Sequence, residues 1–172
     1  MVKFEKVKAY PDAIYPKAKT EGSAGFDFYV VEDTVVPSWG NAININVDNT
    51  FPHTLEEVKK YMNYKPTLVP TGIKCYMDEG TFLMLCVRSS LPLKSWLMLA
   101  NGVGIIDRDY VDNPDNEGHI YFQLYNMGPC DILLKKGDCI GQGIILPYQT
   151  NGEFEQAARA GGFGSTDKGE NK

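Results

Sequence analysis

The feature that most constrains the fold is a succession of short strand-like stretches separated by turn-forming residues. Each stretch is rich in apolar, aromatic or β-branched side chains and is bounded by Gly, Pro, Asn or Asp. Many short strands with such turns predict an all-β sandwich or barrel. The predicted strands cover residues 4–9, 25–31, 42–47, 67–77, 81–88, 97–106, 119–126, 131–134 and 139–147.

Size and composition limit the class of protein. A chain of 172 residues, 43% of them hydrophobic, is the size of one globular domain with a substantial core. The formal net charge of −5 argues against a nucleic-acid-binding domain, because such domains usually have a basic face. The first residues lack a secretion signal, no segment approaches the roughly 20 apolar residues of a membrane span, and the four cysteines lack a CxxC pair. We therefore expect a soluble, cytoplasmic protein with reduced, mostly buried cysteines, no structural zinc, and no membrane partner.

Two stretches depart from the strand pattern. Residues 53–64 contain a capping box from Thr54 to Glu57 and an apolar stripe at helical spacing, which predict a short amphipathic helix. The tail from residue 156 is rich in small and polar residues and predicts a flexible arm. The chain is thus expected to comprise one domain over residues 1–155 and a glycine-rich arm over residues 156–172.

Residues that suit chemistry concentrate in the segment NGVGIIDRDY near the middle of the chain. Its apolar run, residues 103–106, reads as a buried strand whose glycines let a ligand or another backbone approach closely. At the end of that strand Asp107 could polarise a water, Tyr110 could lie flat against a sugar or base, and Asn101 could recognise a polar base edge. The same segment also fits a hairpin that Asp107 merely caps, so both interpretations stay open.

Four further segments accompany this one in order: SAGFDF at 23–28, RSSL at 88–91, GDCIGQ at 137–142 and RAGGFGST at 159–166. Together the five segments resemble the ordered motifs of the trimeric dUTPase family. Each motif is weak by itself, but the ordered set is highly specific. The resemblance implies a distorted jelly-roll of antiparallel strands, assembled as a homotrimer with sites shared between subunits. It also implies hydrolysis of dUTP to dUMP and pyrophosphate, which limits uracil in DNA and supplies dUMP for dTTP synthesis.

The resemblance assigns roles to individual residues. Asp107 would orient and deprotonate the attacking water, and Asp27 would hold Mg²⁺ through its water shell, since this cation prefers phosphate and water oxygens to a protein cage. Tyr110 would pack on the deoxyribose and exclude a 2′-hydroxyl. The implied base and sugar contacts are Asn101, Gly102, Val103, Ile106, Tyr110 and Phe163. The implied phosphate contacts are Arg88, Ser89, Ser90, Gln142, Arg159, Ser165 and Thr166.

The chain also departs from the family pattern. Residues from about 39 to 65 and from 111 to 118 look like insertions, and either could be decoration or a contact surface for a protein partner. The second is predicted to be an exposed polar loop, and because it directly follows Tyr110 it could also affect access to the pocket. Cys139 replaces the arginine usual in the fourth motif. In the fifth motif only three residues separate Arg159 from Phe163, one fewer than the common spacing, and Asp167 stands where glycine is typical.

Other interpretations compete with dUTP hydrolysis. A dCTP deaminase has the same fold but needs a glutamate where this chain has Gln123, and a neutral amide cannot act as that base. A dUTPase-like scaffold that serves as a regulatory binding protein is the second alternative. A serine-nucleophile enzyme is disfavoured because neither histidine lies in a matching motif. For single residues, the structural alternatives are an Asx-turn for Asp27, a core amide for Gln142 and a core ring for Tyr110.

Overall fold

The computed structural model describes residues 2–39, 56, 65–153 and 162. Within these residues the structure gives the bounds of eleven strands, one short helix and one 3₁₀ turn, and Trp39 and Glu56 are also helical. In chain order they are β1 (Lys3–Lys6), β2 (Phe26–Tyr29), β3 (Thr34–Val36), β4 (Thr67–Pro70), β5 (Ile73–Tyr76), β6 (Thr81–Val87), α1 (Ser90–Ser95), β7 (Leu97–Leu99), β8 (Gly104–Ile106), the 3₁₀ turn (Arg108–Tyr110), β9 (Tyr121–Asn126), β10 (Ile132–Leu134) and β11 (Cys139–Pro147).

The strands form two main sheets and two smaller pairs. The larger sheet has the order β2-β11-β6-β8 and the second has the order β4-β9-β7, while β1 pairs with β5 and β10 with β3. Every pairing between these strands is antiparallel. The core lies between the main sheets, where the rings of Phe28 and Phe122 approach to 5.8 Å between centroids. The predicted all-β, antiparallel fold class is confirmed.

Strand β9 shows why the sequence folds in this way. Its side chains alternate between half-buried and buried positions, as period-2 side-chain placement requires, and Phe122, Leu124 and Asn126 face the core. Opposite this strand, Gly141 leaves room for an aromatic ring: a Cβ there would lie 2.1 Å from Cε1 of Phe122 and 2.6 Å from the carbonyl oxygen of Cys86. The glycine therefore permits β11 to pass close to the core rings.

Several predicted elements are corrected by the structure. The predicted strand over 97–106 is two strands in different sheets, because Gly102 adopts a positive φ of 75° in the turn between them. The predicted strand over 67–77 is likewise interrupted at Gly72, with φ of 70°. Neither β3 nor α1 was predicted. All four cysteines are free, but only Cys75 is buried, so the prediction of mostly buried thiols was wrong.

The loop over residues 111–118 is also less exposed than its polar composition predicts. Within the loop, Asn113 is buried, with 5% of its surface exposed, because the loop folds back on itself and its polar groups bond to one another. His119, directly after the loop, is 4% exposed. The predicted strand over 42–47 and the predicted helix over 53–64 lie outside the described residues, apart from Glu56. Among the helices of the described part of the chain, none has the length and apolar character to cross a bilayer.

Candidate active site

A cavity of about 160 Å³ opens beside β8 and β9. Apolar side chains form part of its wall, and a few polar groups converge on it, which is the usual composition of a small-molecule site. The volume is below the roughly 300 Å³ of drug-sized sites, so it suits one small ring system. The lining residues are Leu85, Leu99, Asn101, Gly104, Ile105, Ile106, Tyr110, His119, Tyr121, Gln123 and Gly162.

Five residues were predicted to contact a base or sugar within the described part of the chain, and three of them line the cavity. These are Asn101, Ile106 and Tyr110. Gly102 and Val103 lie in the exposed turn between β7 and β8, where the N–H of Gly102 donates to the carbonyl of Leu99 at 3.1 Å. The turn therefore lies beside the cavity, and neither Gly102 nor Val103 forms part of the cavity wall.

Tyr110 is held in place more firmly than a surface ring would be. Only 5% of the residue is exposed, and its hydroxyl lies 3.2 Å from the carbonyl oxygen of His119, to which it donates. The amide of Asn116 donates to the same hydroxyl at 2.7 Å. The ring is thus both part of the cavity wall and part of a hydrogen-bond network.

Asp107 lies at the end of β8, as predicted from the sequence. The residue before it, Ile106, lines the cavity, whereas the exposed carboxylate borders a wider surface depression that it shares with Ile105 and Tyr148. Its carbonyl accepts from the N–H of Tyr110 at 3.1 Å, which begins the 3₁₀ turn. Asp107 is therefore accessible to solvent next to the cavity that Tyr110 lines.

A second group of predicted residues lies elsewhere, around Asp27 on β2. This carboxylate is only 2% exposed; its Oδ1 accepts from Nε2 of Gln142 at 3.4 Å, and its Oδ2 has no hydrogen-bond partner. The ammonium of Lys19 lies 3.9 Å from Oδ2. A buried carboxylate oxygen without a hydrogen bond is costly unless a further group satisfies it, so this oxygen is suited to a cation or its water shell.

Cys139 lies beside this carboxylate. Burial raises the pKa of the thiol, the negative charge of Asp27 acts in the same direction, and Arg88 acts in the opposite direction. A neutral thiol therefore occupies the position where the family usually has an arginine.

Arg88, Ser89 and Ser90 follow directly on β6, next to this second group. The N–H of Arg88 donates to the carbonyl of Ile140 at 3.3 Å, which ties the segment to β11. Both Arg88 and Ser89 are exposed, and the side chain of Ser89 makes no capping hydrogen bond to α1. Their polar atoms face solvent at the end of the sheet that carries Gln142.

The two groups are far apart within one chain. Asp27 lies on β2 and Asp107 follows β8, the two outer strands of the four-stranded sheet. Through β11, the register sets Asp27 level with Cys86 of β6, whereas Ile106 pairs with Leu83. Three strand spacings of about 4.8 Å and four residues of about 3.3 Å give a separation of about 20 Å along the sheet. After the contacts predicted for them from the sequence, we call the group of Asp27, Arg88, Ser89, Ser90 and Gln142 the phosphate half-site, and the group of Asn101, Asp107 and Tyr110 the base half-site.

The structure adds three polar residues to the cavity that were not predicted to act there: His119, Tyr121 and Gln123. His119 accepts the N–H of Gly72 at 2.8 Å through Nε2, and its ring lies 4.0 Å from that of Tyr121. Burial lowers the pKa of His119 to about 4, against a smaller opposing effect of Glu117. The imidazole is therefore neutral near pH 7. Alternation along β9 places Tyr121 and Gln123 on one face, which could have signalled their joint presence.

Four predicted site residues lie outside the described residues: Arg159, Phe163, Ser165 and Thr166. Of the arm, the structure describes Gly162, which lines the cavity. A Cβ at this position would lie 2.7 Å from Cε2 of Tyr110, so glycine permits the arm to contact that ring.

The chain was compared with protein families, curated sequences and solved structures, and all three comparisons find dUTPases. The family model described as dUTPase matches residues 55–167. A deoxyuridine 5′-triphosphate nucleotidohydrolase of Lactococcus lactis subsp. lactis is 37% identical over 168 residues, covering 95% of each chain. The crystal structure of dUTPase from Streptococcus mutans has 36% identity and a TM-score of 0.69, covering 86% of this chain and 96% of that one. The dUTPase of phage phi11 of S. aureus, at 16% identity and a TM-score of 0.64, is similar in fold.

The family model begins after the first of the five motifs, but the Lactococcus relative extends the similarity over nearly the whole chain. From the ordered motifs, the antiparallel fold and these matches, we conclude that the chain belongs to the dUTPase family.

Proposed function

We propose that this chain hydrolyses dUTP to dUMP and pyrophosphate. The observation that carries the proposal is the small cavity lined by Asn101 and Tyr110, with the exposed carboxylate of Asp107 directly beyond its wall. Membership of the dUTPase family supports the same activity. Such a reaction lowers the supply of dUTP for DNA synthesis and provides dUMP as a precursor of dTTP.

The cavity recognises uracil and deoxyribose in this proposal. The amide of Asn101 and the backbone of the adjoining turn pair with the polar edge of uracil, and a site that hydrogen-bonds one edge rejects a base that leaves those groups unpaired. The buried ring of Tyr110 packs on the deoxyribose and leaves no room for a 2′-hydroxyl. Phe163 of the arm stacks over the base, while Arg159, Ser165 and Thr166 contact the outer phosphates.

Asp107 acts as the general base. It orients a water for in-line attack on the α-phosphate and accepts its proton, a role that contributes about 10²–10⁴-fold to the rate. Its exposure beside the cavity leaves space for both the water and the α-phosphate. Pyrophosphate is the leaving group.

The phosphate half-site holds the triphosphate and its cation. Among the described residues, no cluster of three or more His, Cys, Asp or Glu side chains could hold a metal ion by itself. A magnesium ion would therefore be held mostly by phosphate and water oxygens. The Oδ2 of Asp27, which has no hydrogen-bond partner and lies 3.9 Å from the ammonium of Lys19, fits a role in binding its water shell. When bound, Mg²⁺ neutralises negative charge on the triphosphate. Ser89, Ser90, Gln142 and Arg88 supply donors to the remaining phosphate oxygens.

The separation of the two half-sites supports a composite active site. Asp27 and Asp107 of one chain are about 20 Å apart along the sheet, too far for a single nucleoside triphosphate to contact both carboxylates. A homotrimer, in which the phosphate half-site of one subunit meets the base half-site of the next, brings the two carboxylates to one substrate. Free cysteines throughout the described chain suit a reducing compartment, and we place the enzyme in the cytoplasm.

Release of pyrophosphate from dUTP by the purified protein in magnesium buffer tests the proposal. Asp107→Asn should lower kcat at least about 10²-fold, because an amide cannot accept the proton of the water. Asp115→Asn, the same change on an exposed loop position, serves as the control and should leave the rate unchanged. Binding of dUTP without turnover by the wild-type protein would contradict the proposal, and ammonia release from dCTP would replace it with deamination.

A further inference from the structure

We propose that Asn116 is a positioning residue for Tyr110, and that the loop over residues 111–118 thereby sets the preference for deoxyribose over ribose. This inference rests on the proposed function of the cavity. It assigns a role to a loop that the family motifs do not include.

The hydroxyl of Tyr110 is fixed by two hydrogen bonds of opposite sense. It accepts the Nδ2–H of Asn116 at 2.7 Å and donates to the carbonyl of His119 at 3.2 Å. A tyrosine side chain has two rotatable angles, so fixing its hydroxyl fixes the plane and the reach of the ring. Without the donor on Asn116, the hydroxyl would lose one of the hydrogen bonds that hold the ring, and the ring could tilt.

The amide of Asn116 is itself oriented by the loop. Its Oδ1 accepts the N–H of Gly118 at 3.0 Å and the Nδ2–H of Asn113 at 2.9 Å, so the amide nitrogen must point towards Tyr110. Asn113 also donates to the backbone carbonyl of Tyr110 at 2.7 Å. Two buried or half-buried asparagines therefore hold both the backbone and the hydroxyl of one tyrosine.

The loop is attached to the rest of the protein at a second place. Asp112 accepts hydrogen bonds from the ammonium of Lys74 and from the hydroxyl of Tyr76, both on β5, and Glu117 accepts the N–H of Lys8 at 3.0 Å. The Lys74 partner is nearly buried, with 9% of its surface exposed. These contacts hold the loop against β5 and Lys8.

A displaced ring would change which sugar fits. Tyr110 lines the cavity from one side, and a displacement of about 1 Å in a positioning contact can change rates strongly. A tilt that makes room for a 2′-hydroxyl would raise the turnover of UTP relative to dUTP. Loss of the Asn116 contact should therefore change the ratio of kcat/KM for dUTP to kcat/KM for UTP while the protein stays folded.

The test compares kcat/KM for dUTP and UTP in a double-mutant cycle. Asn116→Ala should lower the dUTP/UTP ratio about fivefold, the loss expected from one hydrogen bond of ordinary net strength. In the Tyr110→Phe background, the same change should have no further effect on the ratio, because the hydroxyl through which it acts is absent. Asp115→Ala, on the exposed side of the loop, is the matched control and should leave the ratio unchanged.

An unchanged dUTP/UTP ratio in Asn116→Ala would overturn the inference. It would also be overturned if Asn116→Ala changed this ratio equally in the wild-type and Tyr110→Phe backgrounds, because the loop would then act by general destabilisation. Calorimetric binding of dUMP and UMP to the same four variants provides a readout that does not need turnover. If the wild-type protein binds dUMP selectively without hydrolysing dUTP, the proposed function fails, and the positioning role is still decided by the binding ratio.

Discussion

The buried His119 predicts a specific loss of stability in mild acid. Its pKa is about 4 in the folded chain, against an ordinary value of 6.5, because burial disfavours the imidazolium. Between these two values the unfolded chain binds more protons than the folded one. The free energy of unfolding should therefore fall as the pH drops from about 6.5 to about 4, and this contribution should not change further below that range.

The magnitude follows from the difference between the two pKa values. A difference of about 2.5, at 1.36 kcal/mol for each pKa unit, limits the loss to about 3 kcal/mol, and about 2 kcal/mol of it falls between pH 7 and pH 5. Protonation at Nε2 would also remove the acceptor for the N–H of Gly72. This change is a substantial fraction of the free energy of unfolding of a typical domain, which is about 5–15 kcal/mol.

Urea unfolding at pH 7 and pH 5, at one protein concentration, measures this loss in the wild type and in His119→Gln. Glutamine offers an acceptor oxygen near the position of Nε2 but does not titrate. Its unfolding free energy should therefore change by about 2 kcal/mol less between the two pH values than that of the wild type. Carboxylates that do not interact with His119 contribute equally to both proteins and cancel in the difference. An identical pH dependence in the two proteins would refute the assigned cause.

Two further changes test the core and the arm. Gly141→Ala should lower the unfolding free energy by at least about 1–3 kcal/mol, because its Cβ would collide with the ring of Phe122. Gly22→Ala is the control and should not lower it, because Gly22 has open space around it. The urea midpoints of the two variants measure the difference. Cutting the chain after Gln156 should leave the oligomer intact by size-exclusion chromatography and sharply reduce pyrophosphate release. Unchanged activity in the shortened chain would exclude the arm from the mechanism.

The sequence predicted elements best where local signals were continuous. The strand Cys139–Pro147 was predicted to the residue, because it begins directly after a Gly-Asp turn and its apolar residues continue to Pro147. The run over 97–106 was read as one strand although it contains Asn101-Gly102, a dipeptide that favours tight turns. The apolar residues on both sides outweighed that signal, and only the tertiary pairing separates the run into two sheets.

The sequence singled out residues of the candidate site but did not reveal the residues that hold them in place. Of the two residues singled out in the central motif, Tyr110 lines the cavity and Asp107 borders the neighbouring surface depression. His119 carries no local signal, since its partner is the N–H of Gly72, 47 residues earlier in the chain. The loop that includes Asn116 was read as solvent-exposed from its polar composition, but its amides satisfy one another and the tyrosine. Composition does not show whether a polar group bonds to water or to the protein.

The composite site predicts that mixing two inactive variants restores activity. Asp27→Asn and Asp107→Asn should each be nearly inactive as homotrimers, because every site then lacks one carboxylate. If the half-sites come from different subunits, a trimer that mixes the two variants contains sites in which one subunit supplies Asp27 and its neighbour supplies Asp107. Random mixing in equal amounts gives about one quarter of the sites both groups, so about a quarter of the wild-type rate should return after the variants are unfolded and refolded together. If both carboxylates of a site belonged to one chain, no combination of the variants would restore it, and the refolded mixture would stay as inactive as its components. The separation of about 20 Å between the carboxylates within one chain favours the first outcome.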